Sequence, residues 1–368
     1  MKINTDLKLD FDDTLLVPHR TKTASRQNIK LQRGFQFYHS TRPWRGTPII
    51  AANMDSTGTL DMSHAISKHQ MITCLHKHHD HKKLLQLEHC PFSTYTWYSL
   101  GIQDIEFDNL CDIADKTHII PNLCIDVANG YTEDFVNFCA KVRKQFADKT
   151  IIMAGNVCTP EMVQELILHG GVDIVKVGIG PGSACTTRLK TGIGYPQLSA
   201  IIECSHAAHG LKSQEKRMGL ICADGGCRNA GDVCKAFAAN ADFVMIGGML
   251  AGTEECEGEW EEGTLVNWNH CTDKPPTVTN QKVKKTFKFY GMSSKIAQDK
   301  HGQGLKDYRS SEGRMIQVPY KGPVKEVVQD ILGGIRSCCA YIGASSIKDM
   351  AKCAEFIRVN RTHFDQSL

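Results

Sequence analysis

Residues 150–178 read TIIMAGNVCTPEMVQELILHGGVDIVKVG and contain the repeating unit of the fold. Residues 150–154 and 172–177 are apolar runs of strand length, and residues 160–168 between them place apolar side chains at helical spacing. Thr159 offers an N-cap position, and Pro160 with Glu161 favours a helix start. The stretch therefore predicts a strand, a helix and a second strand parallel to the first.

The same alternation recurs along most of the chain. Strand-length runs lie at residues 47–52, 71–75, 95–100, 119–126, 150–154, 172–177, 219–223 and 243–247. Helical spacing lies between them at residues 60–68, 105–115, 132–146, 160–168, 197–208 and 231–239. Such alternation indicates an α/β fold with a parallel sheet, either open and doubly wound or closed. Because eight strands are present, we predict a closed TIM (β/α)8 barrel.

Two segments interrupt this alternation. Residues 178–196 follow the sixth strand as a glycine-rich loop, and residues 250–322 follow the eighth as a long insertion. The insertion is too short to hold much core of its own, so we expect a lid or hairpin. Helical spacing returns at residues 324–341 and 346–357. We therefore predict one barrel domain over residues 1–368 that includes the cysteine loop (178–196) and the lid (250–322).

The composition is that of an ordinary globular protein, with 41% hydrophobic and 23% charged residues in a chain of 368. The 43 basic and 40 acidic side chains are spread along the chain, so we expect no nucleic-acid partner. No run of ~20 apolar residues is present, and the first residues lack the apolar region of a signal peptide. These features predict a cytoplasmic protein without membrane contact, whose 16 cysteines are reduced thiols.

Two glycine pairs lie where a barrel commonly binds phosphate, which is after strands seven and eight at the carboxyl ends of the strands. Gly225 and Gly226 follow the seventh predicted strand, and Gly247 and Gly248 end the eighth. Glycines there expose backbone N–H groups without Cβ obstruction, although either pair alone also fits a tight turn. Because both pairs occupy the expected places, we favour a phosphate site.

The loop after strand six reads Gly178-Ile179-Gly180-Pro181-Gly182-Ser183-Ala184-Cys185-Thr186-Thr187-Arg188. A cysteine on such a loop, beside hydroxyls and a guanidinium, has surroundings that stabilise a nucleophilic thiolate. A buried inert thiol is the alternative for any one of the cysteines. Backbone carbonyls near Gly180 and Gly182 would also suit a hard cation.

A histidine cluster follows the second predicted strand. His76, His78, His79 and His81 suggest a metal site, but they lack the spacing of helical ligand pairs and fit a solvated loop equally well. Lys77, within the cluster, stands where a lysine can reach an anionic ligand at the catalytic face, with a surface ammonium as the alternative.

The lid carries two further candidate segments. Residues 308–313 read Tyr-Arg-Ser-Ser-Glu-Gly, and Glu312 within them would relay protons once lid closure excludes water, although an exposed glutamate is the commoner case. Residues 291–294 read Gly-Met-Ser-Ser and fit either a turn or a contact between a ligand and the backbone.

These motifs together resemble the GMP reductases, which are sisters of the IMP dehydrogenases. The resemblance runs from residue 7 to residue 359, and its most specific motifs are Asn53-Met54-Asp55, His76-Lys77-His78, Asp126-Val127-Ala128-Asn129-Gly130-Tyr131, Ala154-Gly155-Asn156-Val157, residues 185–197 and Tyr290-Gly291-Met292-Ser293-Ser294. It implies a TIM barrel, usually a homotetramer, that uses NADPH to convert GMP into IMP and ammonia in purine salvage.

The resemblance also implies the catalytic residues. Cys185 would attack C2 of the guanine ring, and Thr187 with Glu312 would move the protons that let ammonia leave. Hydride from NADPH would then reach C2 of the remaining thioimidate and expel the thiolate, which divides one difficult substitution into two easier steps.

The binding residues implied by the resemblance form three groups. The substrate would contact Asp224, Gly225, Gly226, Gly247, Gly248, Gly291, Met292, Ser293, Arg309, Ser310, Ser311 and Gly313. The cofactor would contact Lys77, Asp126, Val127, Ala128, Ile179, Gly180, Met292, Tyr308 and Arg309, with Ser25 and Arg26 reaching it from a neighbouring subunit. A monovalent cation, K⁺, would lie among Gly180, Gly182, Cys185 and Arg188.

An IMP dehydrogenase, which oxidises IMP to XMP with NAD, is the alternative activity. Residues 186–188 and the lid motif around Glu312 match the reductases, and no domain-sized insertion separates strands two and three. A nucleotide-binding regulator without activity would be expected to lose Cys185, Thr187 or Glu312, but all three are present. A metal-dependent hydrolase built on the histidine cluster is a further alternative. Residues 257–285 form a longer segment than the family pattern leads us to expect.

Overall fold

The barrel is the central feature of the fold. A computed structural model describes residues 3–22, 25–87, 89, 91–267, 277–302, 304, 306–308 and 310–360, with residues 264–267 and 277–283 described by their backbone alone. Eight parallel strands follow one another around a closed barrel, and the eighth pairs with the first. In chain order these barrel strands are Ile49–Ala51, Ile72–Cys74, Thr96–Leu100, Leu123–Asp126, Ile152–Val157, Ile174–Val177, Leu220–Asp224 and Phe243–Ile246. The predicted TIM barrel is confirmed.

Helices surround the strands. They are Leu60–Ser67, His81–Leu85, Asp104–Thr117, Glu133–Phe146, Pro160–Leu168, Thr187–Thr191, Gln197–Gly210, Ala230–Ala238 and Val324–Ile342. Side chains at several starts accept a backbone N–H, as Thr59 does from Met62 and Asn229 from Asp232, both at 3.0 Å. The sequence did not predict the two five-residue helices, because a single turn is too short to show helical spacing.

The side chains of each barrel strand alternate between two cores. Ile50, Ile174, Cys222 and Phe243 point into the barrel interior with their equivalents on other strands. Their sequence neighbours pack outward against the helices. This alternation follows from the two-residue period of a strand. The last inward-pointing side chain of each strand lies at the carboxyl end of the barrel.

The amino end of the barrel is covered by a short antiparallel pair, Arg33–Phe35 with Trp44–Gly46. The rings of Phe35 and Trp44 lie 4.6 Å and 5.2 Å from the ring of Phe243, measured between centroids. All three side chains are buried. A ligand therefore has to approach the barrel from its carboxyl end.

The insertion after strand eight contains a small antiparallel sheet, and we keep the name lid for residues 250–322. Strands Trp260–Asn267, Thr277–Tyr290 and Met315–Pro319 make an antiparallel sheet. Along the chain, the lid helix Lys295–His301 follows the second of these strands and precedes the third. Phe287 and Phe289 on the central lid strand are buried. Residues 268–276, within the longer segment 257–285, lie outside the described residues.

The end of the chain differs from the prediction. Residues 346–357 were expected to be helical, but they contain a short turn Ile347–Asp349, a four-residue helix Met350–Cys353 and a strand Phe356–Arg358. The strand pairs with Thr14–Leu16 near the amino terminus. That partner is more than 300 residues away in sequence, so helical spacing was a misleading signal here.

One more strand pair, Lys212–Ser213 with Lys216–Arg217, precedes barrel strand seven. Among the residues that the structure describes, no helix is long and apolar enough to span a bilayer.

Candidate active site

The loop that carries Cys185 leaves barrel strand six at the carboxyl end of the barrel. Gly180 has a φ of +82°, and a Cβ there would lie 2.6 Å from Cγ of Arg188, so the loop requires glycine at this position. Further along, the Cys185 N–H donates to the Gly182 carbonyl at 3.0 Å. The turn holds the Cys185 side chain half-buried at the barrel mouth.

The side chains of Cys185, Thr187 and Glu312 form a hydrogen-bonded chain. The Cys185 thiol donates to Thr187 Oγ1 at 3.2 Å, and the Thr187 hydroxyl donates to Glu312 Oε2 at 2.7 Å. The three residues predicted to be catalytic are therefore brought together, although Glu312 is 125 positions from Thr187. A hydroxyl between a carboxylate and a thiol allows a proton to pass between them.

Backbone contacts join the lid to the cysteine loop. Cys185 forms a single antiparallel bridge with Gly313, and the Thr186 N–H donates to the Glu312 carbonyl at 2.8 Å. A Cβ on Gly313 would lie 2.9 Å from the Ser294 nitrogen, so the two lid segments approach each other too closely for a side chain there. The lid edge is thus paired with the loop that it covers.

The predicted purine-lining residues lie on these two lid segments. Gly291 is close to the cysteine loop, because a Cβ there would lie 3.0 Å from the Ala184 carbonyl oxygen. The Glu312 N–H donates to the Ser293 carbonyl at 3.1 Å, and Ser311 Oγ donates to the Gly313 carbonyl at the same distance. Ser310 adjoins this cluster and Met292 is half-buried within it, whereas Arg309 lies outside the described residues.

Of the four glycines after strands seven and eight, Gly248 lines a cavity of about 500 Å³. Gly225 and Gly226 have φ values of +85° and +86°, and a Cβ on Gly248 would lie 3.1 Å from Ser183 Oγ. The residues lining the cavity include Ser183, Arg228, Asn229, Gly248 and Lys321. The first turn of helix Ala230–Ala238 follows Asn229 directly, and helix N-termini favour anions. The phosphate site at the two glycine pairs stays a prediction.

A buried lysine that the sequence reasoning missed connects two of the predicted binding residues. Lys176 Nζ donates to Asp126 Oδ1 at 2.5 Å and to Asp224 Oδ2 at 3.0 Å, and the Asn156 amide donates to the same Asp224 oxygen at 2.8 Å. Burial opposes the charged ammonium, but the two carboxylates outweigh it and raise the pKa of Lys176. Burial likewise opposes the charged carboxylate of Asp126, and Lys176 outweighs it and lowers the pKa of Asp126.

Further predicted cofactor residues lie around this network. Lys77 follows barrel strand two, and its charge also lowers the pKa of Asp126. Beyond Asp126, Val127 is half-buried and Ala128 is exposed, while Ile179 on the cysteine loop is buried. The backbone at Ala128 is therefore accessible to a ligand, and the role of these residues as cofactor contacts stays a prediction.

Comparison with known proteins relates this arrangement to a family. Residues 116–367 match the family model described as "IMP dehydrogenase / GMP reductase domain". The chain is 49% identical over 362 residues to a "GMP reductase" of Photobacterium profundum, with 98% of this chain and 97% of that protein covered. It is 47% identical over 364 residues to "GMP reductase 1" of Homo sapiens, with 98% of both chains covered. The chain belongs to the IMP dehydrogenase / GMP reductase family.

The remaining predicted cofactor residues lie away from the hydrogen-bonded chain. Ser25 accepts a hydrogen bond from the Gln27 N–H at 3.2 Å, and Arg26 begins the turn Arg26–Asn28, which packs against helix Val324–Ile342. Tyr308 is 75% exposed on the lid. Their role as cofactor contacts in this family member stays a prediction, and for Ser25 and Arg26 it depends on a second subunit.

Arg188 is held by the end of its own loop and by the amino-terminal segment. Its guanidinium donates to Asp10 Oδ2 at 2.9 Å and to the Tyr195 carbonyl at 2.6 Å, and Asp10 Oδ1 also accepts the Gln197 N–H at 2.5 Å. Its side chain therefore closes the loop that contains Gly180 and Gly182. The sequence reasoning missed Asp10, because no local pattern connects it to a residue 178 positions away.

The histidine cluster forms stacked pairs. The rings of His76 and His79 lie 3.8 Å apart, and those of His78 and His301 of the lid helix lie 3.9 Å apart. His81 instead approaches Asp112 on a surface helix. Burial lowers the pKa of His76 to about 3 and that of His78 to about 4. Within the described part of the chain, no three His, Cys, Asp or Glu side chains converge as metal ligands, which argues against the metal interpretation.

Proposed function

We infer that this protein is a GMP reductase, which converts GMP into IMP and ammonia with a reduced nicotinamide cofactor. The observation that carries the inference is the chain from Cys185 through Thr187 to Glu312 at the barrel mouth. Similarity to proteins named GMP reductase over nearly the whole chain supports it. The activity places the protein in purine nucleotide metabolism, and we propose that it serves purine salvage.

We propose the following roles for the catalytic residues. Cys185 Sγ forms a bond to C2 of guanine, and Glu312 supplies through Thr187 the proton with which the C2 amino group leaves as ammonia. NADPH, when bound, supplies the hydride that C2 receives. The bond between C2 and Sγ then breaks, so Cys185 regains its thiolate and IMP is released. One hydride and one proton are consumed for each ammonia formed.

We propose that GMP lies across the mouth from the lid to the cavity. Its phosphate would meet the backbone of Gly225, Gly226, Gly247 and Gly248, and Asp224 would bind the ribose hydroxyls. The purine would lie between Cys185 and the lid, against Gly291, Met292, Ser293, Arg309, Ser310, Ser311 and Gly313. The close approach of Gly291 to the cysteine loop supports this placement, because a bulkier residue there would push the lid away from C2.

We propose NADPH as the cofactor and K⁺ as the cation. The cofactor would lie along Lys77, Asp126, Val127, Ala128, Ile179, Gly180, Met292, Tyr308 and Arg309, on the Lys176 side of the mouth, with Ser25 and Arg26 from a second subunit. The cation would be held near Gly180, Gly182, Cys185 and Arg188. The hydrogen bonds that fix the Arg188 guanidinium support this site, because they leave the loop carbonyls in a defined turn.

We further propose that residues 1–368 act as one barrel domain with its cysteine loop and lid, that the protein is a cytoplasmic homotetramer, and that its partners are GMP, IMP and its own subunits. The assembly is inferred from the family resemblance, and it would explain why Ser25 and Arg26 lie away from the hydrogen-bonded chain of their own subunit.

Two absorbance assays separate this function from that of an IMP dehydrogenase. We expect NADPH to be oxidised when GMP is added, and NAD to remain unreduced when IMP is added. The same assay tests the cofactor when NADH replaces NADPH, and it tests the cation when sodium replaces potassium. Reduction of NAD by IMP without oxidation of NADPH by GMP would reverse the assignment.

Substituting Glu312→Gln is expected to lower kcat by about 10²-fold or more while the apparent affinity for GMP changes little. The amide keeps the size of the side chain but no longer delivers a proton to Thr187. Steady-state kinetics with GMP measure the effect. Glu261→Gln, on an exposed lid strand, is the matched control and should retain full activity. A normal kcat in Glu312→Gln would remove this residue from the mechanism.

A further inference from the structure

Asp55 is a buried carboxylate at the barrel mouth that takes no part in the proposed chemistry. It follows barrel strand one and is only 4% exposed. A carboxylate that remains ionised in such surroundings needs partners that compensate for the loss of water. Those partners show what the residue does.

The hydrogen-bond partners of the Asp55 side chain come from the lid. Asp55 Oδ2 accepts the Tyr290 hydroxyl at 2.9 Å and pairs with His301 Nε2 at 2.5 Å. Lys300 Nζ lies 3.3 Å from the same oxygen and 3.4 Å from the Tyr290 hydroxyl. The Asp55 N–H donates to the Met292 sulfur at 3.4 Å. A single barrel residue thus holds the end of a lid strand and the end of the lid helix.

These contacts lie on both sides of the segment that reaches the reacting atoms. Tyr290 ends the central lid strand and immediately precedes Gly291, whereas Lys300 and His301 end the lid helix that begins one residue after Ser294. Ser293, between them, accepts the Glu312 N–H. Displacement of either end would therefore move the Glu312 backbone relative to Thr187.

The other face of Asp55 meets the histidine cluster. His76 Nδ1 lies 4.0 Å from Asp55 Oδ1, and within the described residues neither atom has a hydrogen-bond partner. His78 stacks on His301 and so braces the imidazole that Asp55 binds. The negative charge of Asp55 thus faces Lys300, His301 and Tyr290 from the lid and His76 from the barrel.

We propose that Asp55 is a positioning residue for the reaction: it anchors the lid over the barrel so that Met292 and Glu312 are held against the Cys185 loop. The effect of this anchor on kcat rests on the proposed function, whereas the anchor itself rests only on the contacts described above. Three donors converge on one oxygen of the carboxylate. The negative charge matters because a neutral amide oxygen would bind these donors less strongly.

The test compares Asp55→Asn with the unmodified protein by two measurements. Amide hydrogen exchange reports the anchor, and we expect the amides of the lid helix Lys295–His301 to exchange about tenfold faster in the variant. Steady-state kinetics report the consequence, and we expect kcat to fall about tenfold with a smaller change in KM for GMP. Asp112→Asn, which removes the partner of Lys116 and His81 on a surface helix, should change neither.

The outcomes separate this inference from the function itself. Unchanged exchange in the lid helix, or faster exchange with an unchanged kcat, would overturn the role of Asp55 while GMP reduction by the unmodified protein stands. If the unmodified protein does not reduce GMP, the exchange measurement still decides the anchor. Should Asp55→Asn fail to fold, Tyr290→Phe combined with His301→Gln weakens the same contacts from the lid side and is judged by the same two measurements.

Discussion

Cys185→Ala is expected to abolish the formation of IMP, with a loss of at least about 10⁴-fold in kcat, while GMP still binds. Alanine cannot form the bond to C2, and Thr187 with Glu312 has no other nucleophile to serve. The lid contacts of residue 185 are made by its backbone, so the fold should persist. Coupled measurements of NADPH oxidation and of GMP binding by calorimetry test both statements. An active alanine variant would refute the covalent mechanism.

Limited alkylation provides an independent test among 16 cysteines. We expect Cys185 to be modified with loss of activity, and GMP to protect it. Burial raises the pKa of Cys139 and Cys204, which should make those thiols slow. Cys338 is the competitor to control, because a hydrogen bond from Cys234 lowers its pKa and it is half-buried. A Cys338→Ser variant should lose activity to the reagent at an unchanged rate, and peptide mapping identifies the site.

Lys176→Met is expected to lower the free energy of unfolding by about 3 kcal/mol, since it leaves the partly buried carboxylates of Asp126 and Asp224 without their cation. Lys176 is 2% exposed and touches both carboxylates, whose side chains are 26% and 19% exposed, so water can compensate only in part for the lost ammonium. Urea denaturation followed by circular dichroism measures the loss. Lys116→Met, which removes a surface ion pair to Asp112, should cost less than about 1 kcal/mol.

A compensated variant sharpens that prediction. Combining Lys176→Met with Asp126→Asn and Asp224→Asn removes the three charges together, and part of the lost stability should return. If the triple variant is no more stable than Lys176→Met alone, the cost arises from packing of the lysine stem and not from unpaired carboxylates.

The strand pattern was sufficient to predict the barrel, and it places the candidate site at the carboxyl ends of the barrel strands. The same pattern also carries a signal for Lys176. Ile174 and Cys222 point inward, and two positions later the same period places Lys176 and Asp224 inward as well. A lysine at an inward position of an apolar strand is expected to have an acidic partner at the same level of the barrel.

The contacts that assemble the site could not be predicted in the same way. Asp10 meets Arg188, and Asp55 meets His301, across 178 and 246 positions respectively. No periodicity relates such pairs, because they arise only when the chain closes into a barrel and the insertion folds back over it. The pairing of Glu312 with Thr187 was expected from family resemblance, and the strand Phe356–Arg358 was missed for lack of any local signal.

The bridge between Cys185 and Gly313 has a consequence for the catalytic cycle. Because the nucleophile's loop and the carboxylate's segment are paired through their backbones, the lid cannot lift from this edge without separating Thr187 from Glu312. Under the proposed mechanism, proton transfer therefore requires this edge to stay closed, and a sulfur-linked purine would be shielded from hydrolysis for as long as it does.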